Sequence, residues 1–173
     1  GITECLNFIN KYPDISLITG HISGFNKKNN RNYLTDFKEN SCTHIKNQNN
    51  STQIENYLNN YRIIWYSIYR TNIFQKAWQD CLLFSCKHVV NTELLHGLSS
   101  LANGIFDFKN NTTYIRNTGQ TDSIYKSISS EEIKKSKNEI KEIILFISKK
   151  YNLDENKILS AYISADKKYK KRN

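Results

Sequence analysis

At 173 residues the chain has the length of one domain with one adequate core. Its apolar share of 38% is low for a globular protein, and no apolar run is long enough to cross a bilayer as a helix. The net charge of +9 directs attention to anionic partners, although 23 Asn, 22 Ile, 20 Lys and 11 Tyr all use AT-rich codons, so genome composition accounts for much of the basicity.

Residues 3–11 read as a short helix with Leu6 and Ile9 on one face, capped by Thr3 and ended before Pro13. Ile15–Ile18 reads as a strand stopped by Gly20, and His21–Phe25 as a turn-rich link. Tyr33, Leu34 and Phe37 predict a helix over 30–39, and residues 42–45 a second strand that pairs in parallel with the first. Lys46–Thr52 is polar and reads as a loop.

Residues 53–106 hold both tryptophans and are nearly neutral, as a core should be. Thr52 and Glu55 predict a capping box, followed by an apolar face of Ile54, Tyr57, Leu58, Tyr61, Ile64, Trp65 and Ile68. A second helix from Ile73 to Val89 is apolar around so much of its circumference that packing from several sides is expected. A third starts at Asn91-Thr92 and carries Leu94, Leu95, Leu98, Leu101, Ala102, Ile105 and Phe106, with Gly104 near its end.

Residues 107–128 read as a connection with a strand at 112–115, and 124–128 as a further extended piece. Ser129 and Glu132 form a clear capping box for a helix with Ile133, Ile140, Ile143, Ile144, Ile147 and Tyr151 on its buried stripe. Asp154 caps the last helix, whose face is Ile158, Leu159, Tyr162, Ile163 and Tyr169. The expected fold is therefore α+β and helix-dominated. Five or six helices surround a buried central helical segment beside a small two- or three-stranded sheet. It is a single domain divided as 1–52, 53–106, 107–128 and 129–173.

The N-terminus lacks a basic segment followed by an apolar one, so no signal peptide is expected, and the missing Met fits initiator removal or excision. Cys5, Cys42, Cys81 and Cys86 are too few for a dense disulfide framework. Reduced thiols and a cytoplasmic or otherwise intracellular setting are the default, with secretion left open. No phosphate loop or other cofactor motif occurs, so no cofactor is expected.

Four constellations carry chemical interest. Cys81, Cys86, His88 and His96 have zinc-ligand chemistry, but a five-residue spacing turns Cys81 and Cys86 apart on a helix, so packing is the plainer reading. A Cys–His nucleophile lacks any family-specific surround. His21, between Gly20 and Gly24, has the chemistry of a general base, with Arg31 as an anion stabiliser, as in a small toxin-like ribonuclease; a turn histidine is the bland alternative. Residues 129–173 hold five more basic than acidic side chains, with Lys149, Lys150, Lys157, Lys167, Lys168, Lys170, Lys171 and Arg172 set among Tyr151, Tyr162 and Tyr169. Lysines neutralise phosphates and tyrosines stack on unpaired bases. The expected function is a small basic binding protein that contacts nucleic acid, RNA before DNA, inside a larger assembly. An acidic protein surface is the other partner of matching charge, and a viral or effector-like interaction module with a helical groove is the alternative.

Overall fold

The computed structural model describes residues 1–26, 31–34, 49–59, 64, 67–117 and 129–170. In chain order they form α1 (Ile2–Lys11), β1 (Ile15–Asn26), β2 (Arg31–Leu34), α2 (Asn50–Asn59), β3 (Ile68–Tyr69) and α3 (Thr71–Phe84). These are followed by α4 (Val89–Asn103), β4 (Ile105–Asn117), α5 (Ser130–Tyr151) and α6 (Glu155–Lys170). The class is helix-dominated α+β, as the periodicity predicts.

β1 is the axis of the sheet. β4 runs parallel along one of its edges. The other edge is shared by two antiparallel strands, β3 opposite Leu17 and Ile18 and β2 opposite Ser23–Asn26. Four strands thus stand in three ranks. A strand covered on both faces is apolar without alternation, and Ile15-Ser16-Leu17-Ile18 has that pattern. Leu17 joins a large cluster with the helices α2–α6. Ile15 and Ile18 join a smaller one with Cys5 and Ile9 of α1. Arg70 binds this second layer in place. Its Nε donates to Ile15 O at 2.7 Å and its Nη2 to Ile9 O at 2.6 Å and Tyr12 O at 3.3 Å, which satisfies carbonyls left over at the end of α1.

Several local expectations yield to this pairing. Gly20 does not stop the first strand, and His21–Phe25 is not a turn: β1 stays extended to Asn26 because β4 and β2 give its backbone partners. The β1–β4 register shifts on either side of His21, so the glycine is absorbed as an irregularity of the ladder. Arg31–Leu34 is β2, not part of a helix. The parallel partner of β1 is β4, while the strand expected at 42–45 and the extended piece at 124–128 lie outside the described residues. Ile105 and Phe106 leave the helix at Gly104 and open β4, which contains the strand expected at 112–115. The boundary drawn at residue 106 therefore falls inside a strand.

α2 starts two residues before its expected cap, with Asn49 Oδ1 accepting from Thr52 N at 2.9 Å. It ends at Asn59, and Ile68 belongs to β3, so no single helix spans 54–68. Trp65 lies outside the described residues. α3 is not packed from several sides: it buries Ile73, Ala77, Asp80 and Cys81 and leaves Leu82 and Leu83 in solvent. The helix that is covered all round is α4, where Asn91 and every residue from Leu94 to Ala102 is buried. Gly97 permits this closeness, because a Cβ there would stand 3.0 Å from Tyr57 Oη and 3.2 Å from Ile64 Cδ1.

The C-terminal helices follow the sequence in their caps and in the stripe of α5, but Ile163, expected on the buried face of α6, is exposed, while Ala161 and Ala165 are buried. The Ser129–Glu132 capping box forms, with Glu132 N donating to Ser129 Oγ at 3.2 Å and Ser129 N to Glu132 Oε2 at 2.8 Å. Asp154 Oδ1 accepts from Lys157 N at 3.0 Å at the start of α6. Ile143, Ile144, Ile147 and Ile158 are fully buried.

Gly104 marks the tightest junction, between α4 and the sheet. A Cβ there would lie 1.8 Å from Ser16 Oγ and 2.2 Å from Ser16 Cβ. Gly104→Ala is expected to destabilise the fold by about 2–3 kcal/mol, the scale of an overpacked core. Ser16→Gly in the same chain should restore much of the loss, read as urea unfolding midpoints.

Candidate functional site

Asp80 is the most deeply buried acidic side chain among the described residues, at 1% exposure, and three helices converge on it. Its Oδ2 accepts from Ser99 Oγ of α4 at 2.5 Å and from Tyr151 Oη of α5 at 2.6 Å. Its Oδ1 accepts from Lys150 Nζ of α5. The Lys150 ammonium also lies 5.8 Å from the ring centroids of Phe146 and Tyr151. Aspartate, serine, lysine and tyrosine are catalytic residue types, yet here all the donors point at one carboxylate. The hydrogen bond to Asp80 raises the Lys150 pKa, so the amine stays charged and cannot act as a base. Burial and then the bond to Asp80 raise that of Tyr151, so its hydroxyl stays protonated. The cluster is a tie between α3, α4 and α5.

A second carboxylate has a similar office at the start of α4. Glu139, buried on α5, accepts from Lys87 N at 2.5 Å, His88 N at 3.2 Å and Asn91 Nδ2 at 2.6 Å. It satisfies donors that the helix leaves over at its N-terminus.

The four Cys and His residues do not gather as one group, but Cys81 and Cys86 are not turned apart: Ser85 ends α3 in the left-handed conformation, and Cys86 lies near enough to Cys81 to act on its thiol. His88 precedes α4, and Cys81 Sγ donates to Thr92 O at 3.8 Å. Burial pushes the Cys81 thiol up to about 12 and also raises that of Cys86, so both stay protonated at neutral pH, against use as nucleophiles. His96 lies inside an aromatic box, with the rings of Tyr69, Phe74 and Trp78 centred 5.4, 5.2 and 5.4 Å away. Among the described residues no group of three or more His, Cys, Asp or Glu is placed to hold a metal ion.

His21 and Arg31 occupy the sheet. His21 stands in β1 opposite Thr112 of β4, and Arg31 in β2 opposite Asn26 of β1. Five residues of strand separate those two positions, about 16 Å along β1, so the backbone does not bring the pair together.

The eight basic residues predicted to bind nucleic acid divide into two groups. Lys149, Lys150 and Lys157 flank the short connection between α5 and α6. Lys150 is committed to Asp80, while Lys157 bonds Thr52 Oγ1 at 2.8 Å and pairs with Glu55 at 3.1 Å. Lys167 is exposed near the other end of α6, about 15 Å further along the axis. Lys168 and Lys170 share the last turns of α6, and Lys171 and Arg172 lie outside the described residues. A 2.7 Å ion pair between Lys137 and Asp166 sets this end of α6 beside the first turns of α5. There the exposed Lys134 and Lys141 fall on one helix face, about 10 Å apart. Neither of them, nor Lys167, pairs with an acid among the described residues. Lys134 and Lys141 were missing from the sequence-derived set. The short connection at 152–154 is the signal that locates them, because it folds α6 back along α5. Tyr162 is packed against the core, burial pushing its pKa up to about 12, so it and Tyr151 are taken up by the interior.

The chain matches no protein-family model, and neither curated proteins nor solved structures yield a match to it.

Two outcomes follow from the buried groups. Asp80→Ala leaves Lys150, Ser99 and Tyr151 without their acceptor and should cost about 3 kcal/mol in urea unfolding. Adding Lys150→Met should recover part of that loss, giving a positive coupling in a double-mutant cycle. Burial lowers the His96 pKa from 6.5 to about 4, so between these values the unfolded chain takes a proton that the folded chain refuses. Stability should fall as pH drops through this window, by roughly 3 kcal/mol in all. His96→Phe should flatten that part of the profile.

Proposed function

We propose that the open end of the α5–α6 hairpin binds nucleic acid through its phosphates. The observation that carries this reading is the coincidence of Lys134, Lys141 and Lys167, all exposed and without an ion pair among the described residues. Lys168 and Lys170 lie on the same last turns of α6. Charges left free by the fold are available to release counterions from a polyanion, whereas Lys150 and Lys157 are already neutralised by Asp80 and Glu55. Tyr151 and Tyr162 pack inward, so stacking of these two on bases adds little. Lysines contact phosphates as point charges and carry no bidentate base code. The contact is therefore insensitive to sequence and makes no demand for unpaired bases, and RNA before DNA is the partner proposed.

The test is binding of the full chain to a mixed-sequence single-stranded RNA over a range of salt. Lys134→Ala/Lys141→Ala/Lys167→Ala is expected to weaken binding and to lower the slope of log K against log salt by roughly 2, as loss of three phosphate contacts requires. Lys157→Ala, which removes a charge already paired with Glu55, should change the slope little. Absence of binding at low salt, or a triple variant that binds like the unchanged chain, overturns the assignment.

A further inference from the structure

Two thiols meet where α3 ends. Cys81 lies in its last turn, and Cys86 follows two residues beyond Phe84. On a continuous helix the two side chains would point about 140° apart. Ser85 changes that course. Its φ of 56° and ψ of 67° lie in the left-handed region, and its amide donates to Cys81 O at 3.0 Å. A left-handed cap turns the chain back, and the residue after it commonly packs on the side chain four positions before the cap. Those two residues here are Cys86 and Cys81, and Cys86 packs against the cluster to which Cys81 belongs.

Both sulfurs reach one residue of α4. Cys81 Sγ donates to Thr92 O at 3.8 Å, and the Cys86 sulfur is hydrogen-bonded to the Thr92 side chain. The carbonyl and hydroxyl of one threonine belong to one small region, so the two thiols face the same spot. They are close enough for charge on either to disfavour ionisation of the other. Beyond Cys86 the chain is fixed, because Glu139 accepts from the amides of Lys87 and His88. The Cys86 sulfur is thus held near Cys81 from both sides of its own residue. Access differs between the two: Cys81 is buried and Cys86 only half-buried.

We infer that Cys81 and Cys86 form a dithiol that closes to an intramolecular disulfide, a redox-operated staple between the end of α3 and the turn into α4. The oxidant is a small disulfide of the glutathione class. Cys86, the more accessible, gives up its proton and attacks one sulfur of the small disulfide, which releases one small thiol. Cys81 then attacks the Cys86 sulfur of the mixed disulfide, and the second small thiol leaves with the Cys81 proton. Two protein thiols are oxidised and one small disulfide is reduced to two thiols, so the exchange balances with no further reactant. Protonated thiols make the exchange slow at neutral pH, which separates this pair from a catalytic dithiol. Thiols that resist ionisation are also poor leaving groups, so the closed form resists reduction once made. The inference is independent of the nucleic-acid reading and uses none of its lysines.

The deciding experiment equilibrates the full chain with mixtures of reduced and oxidised glutathione, then quenches with acid, blocks the remaining thiols and maps tryptic peptides by mass. Cleavage after Lys76 and Lys87 leaves both cysteines in one peptide, 77–87, so closure reads as loss of two hydrogens with no glutathione added. The folded chain should close at an oxidised-glutathione level about tenfold or more below that needed in urea, because the fold holds the thiols together. By reciprocity, the closed chain should unfold at a higher urea midpoint than the open one. Cys81→Ala should leave glutathione on Cys86, and Cys86→Ser should leave Cys81 unmodified. Closure no easier in the folded chain than in urea overturns the inference. So does glutathione that persists on Cys86 of the unchanged chain, or pairing of either cysteine with Cys5 or Cys42 in place of the other.

Discussion

A helix can be buried on every side only if its backbone ends and its polar side chains find partners inside the protein. α4 is such a helix, and much of the fold is arranged to meet its needs. The amides of Lys87 and His88, just before its first turn, are taken by Glu139 of α5, which also binds the Asn91 side chain. Its last carbonyls are taken by α2: Asn50 Nδ2 donates to Ala102 O at 2.7 Å, and Gln53 Nε2 to Leu101 O at 2.9 Å and Gly104 O at 2.7 Å. Gln53 Oε1 then accepts from Phe106 N at 3.0 Å, so the same side chain guides the chain from helix into β4. In its middle, Ser99 donates to Asp80 of α3, and Ser100 Oγ donates to His96 O at 2.7 Å. An unsatisfied buried amide, carbonyl or carboxylate costs on the order of 1–3 kcal/mol or more. The relative placement of α2, α3 and α5 is consequently set by polar contacts to α4 as much as by the apolar cluster around it.

Those same contacts decide which charges remain for function. Lys150 looks like a phosphate ligand along the chain and is the counter-charge of Asp80 in space. Lys157 is likewise held by Glu55. Lys134 and Lys141 on α5 have no ion pair among the described residues, and an antiparallel hairpin and the Lys137–Asp166 pair bring them beside the end of α6. The basic hairpin end is thus an outward consequence of how the interior was satisfied.

Particular residues show how much was legible in advance. Ser129, Glu132 and Asp154 announce their helix starts, because a cap is a local contract between a side chain and an amide three residues away. The stripe of Ile143, Ile144 and Ile147 announces a buried face for the same local reason. Gly20 misleads, because a glycine in isolation reads as a stop, whereas ladder partners on both edges of β1 hold it extended. Leu82 and Leu83 mislead in the opposite direction: apolar character predicts burial, but only a neighbour can cover a side chain, and none lies over them among the described residues. Asn91 and Gln53 carry no periodic signal at all, though each has a central role at an end of α4.

The sequence alone determined the helix-dominated class, the caps of α5 and α6, the core stripe of α5, and the excess of positive charge toward the C-terminus. These depend on neighbours within a turn or two of helix. Tertiary structure decided that β1 pairs with β4 across most of the chain, that α4 and not α3 is the enclosed helix, and that Lys150 and Lys157 are counter-ions of Asp80 and Glu55 while Lys134 and Lys141 have no ion pair among the described residues. Each of these depends on which distant group supplies a hydrogen bond, a counter-charge or a cover, and such long-range pairing leaves no mark in local spacing.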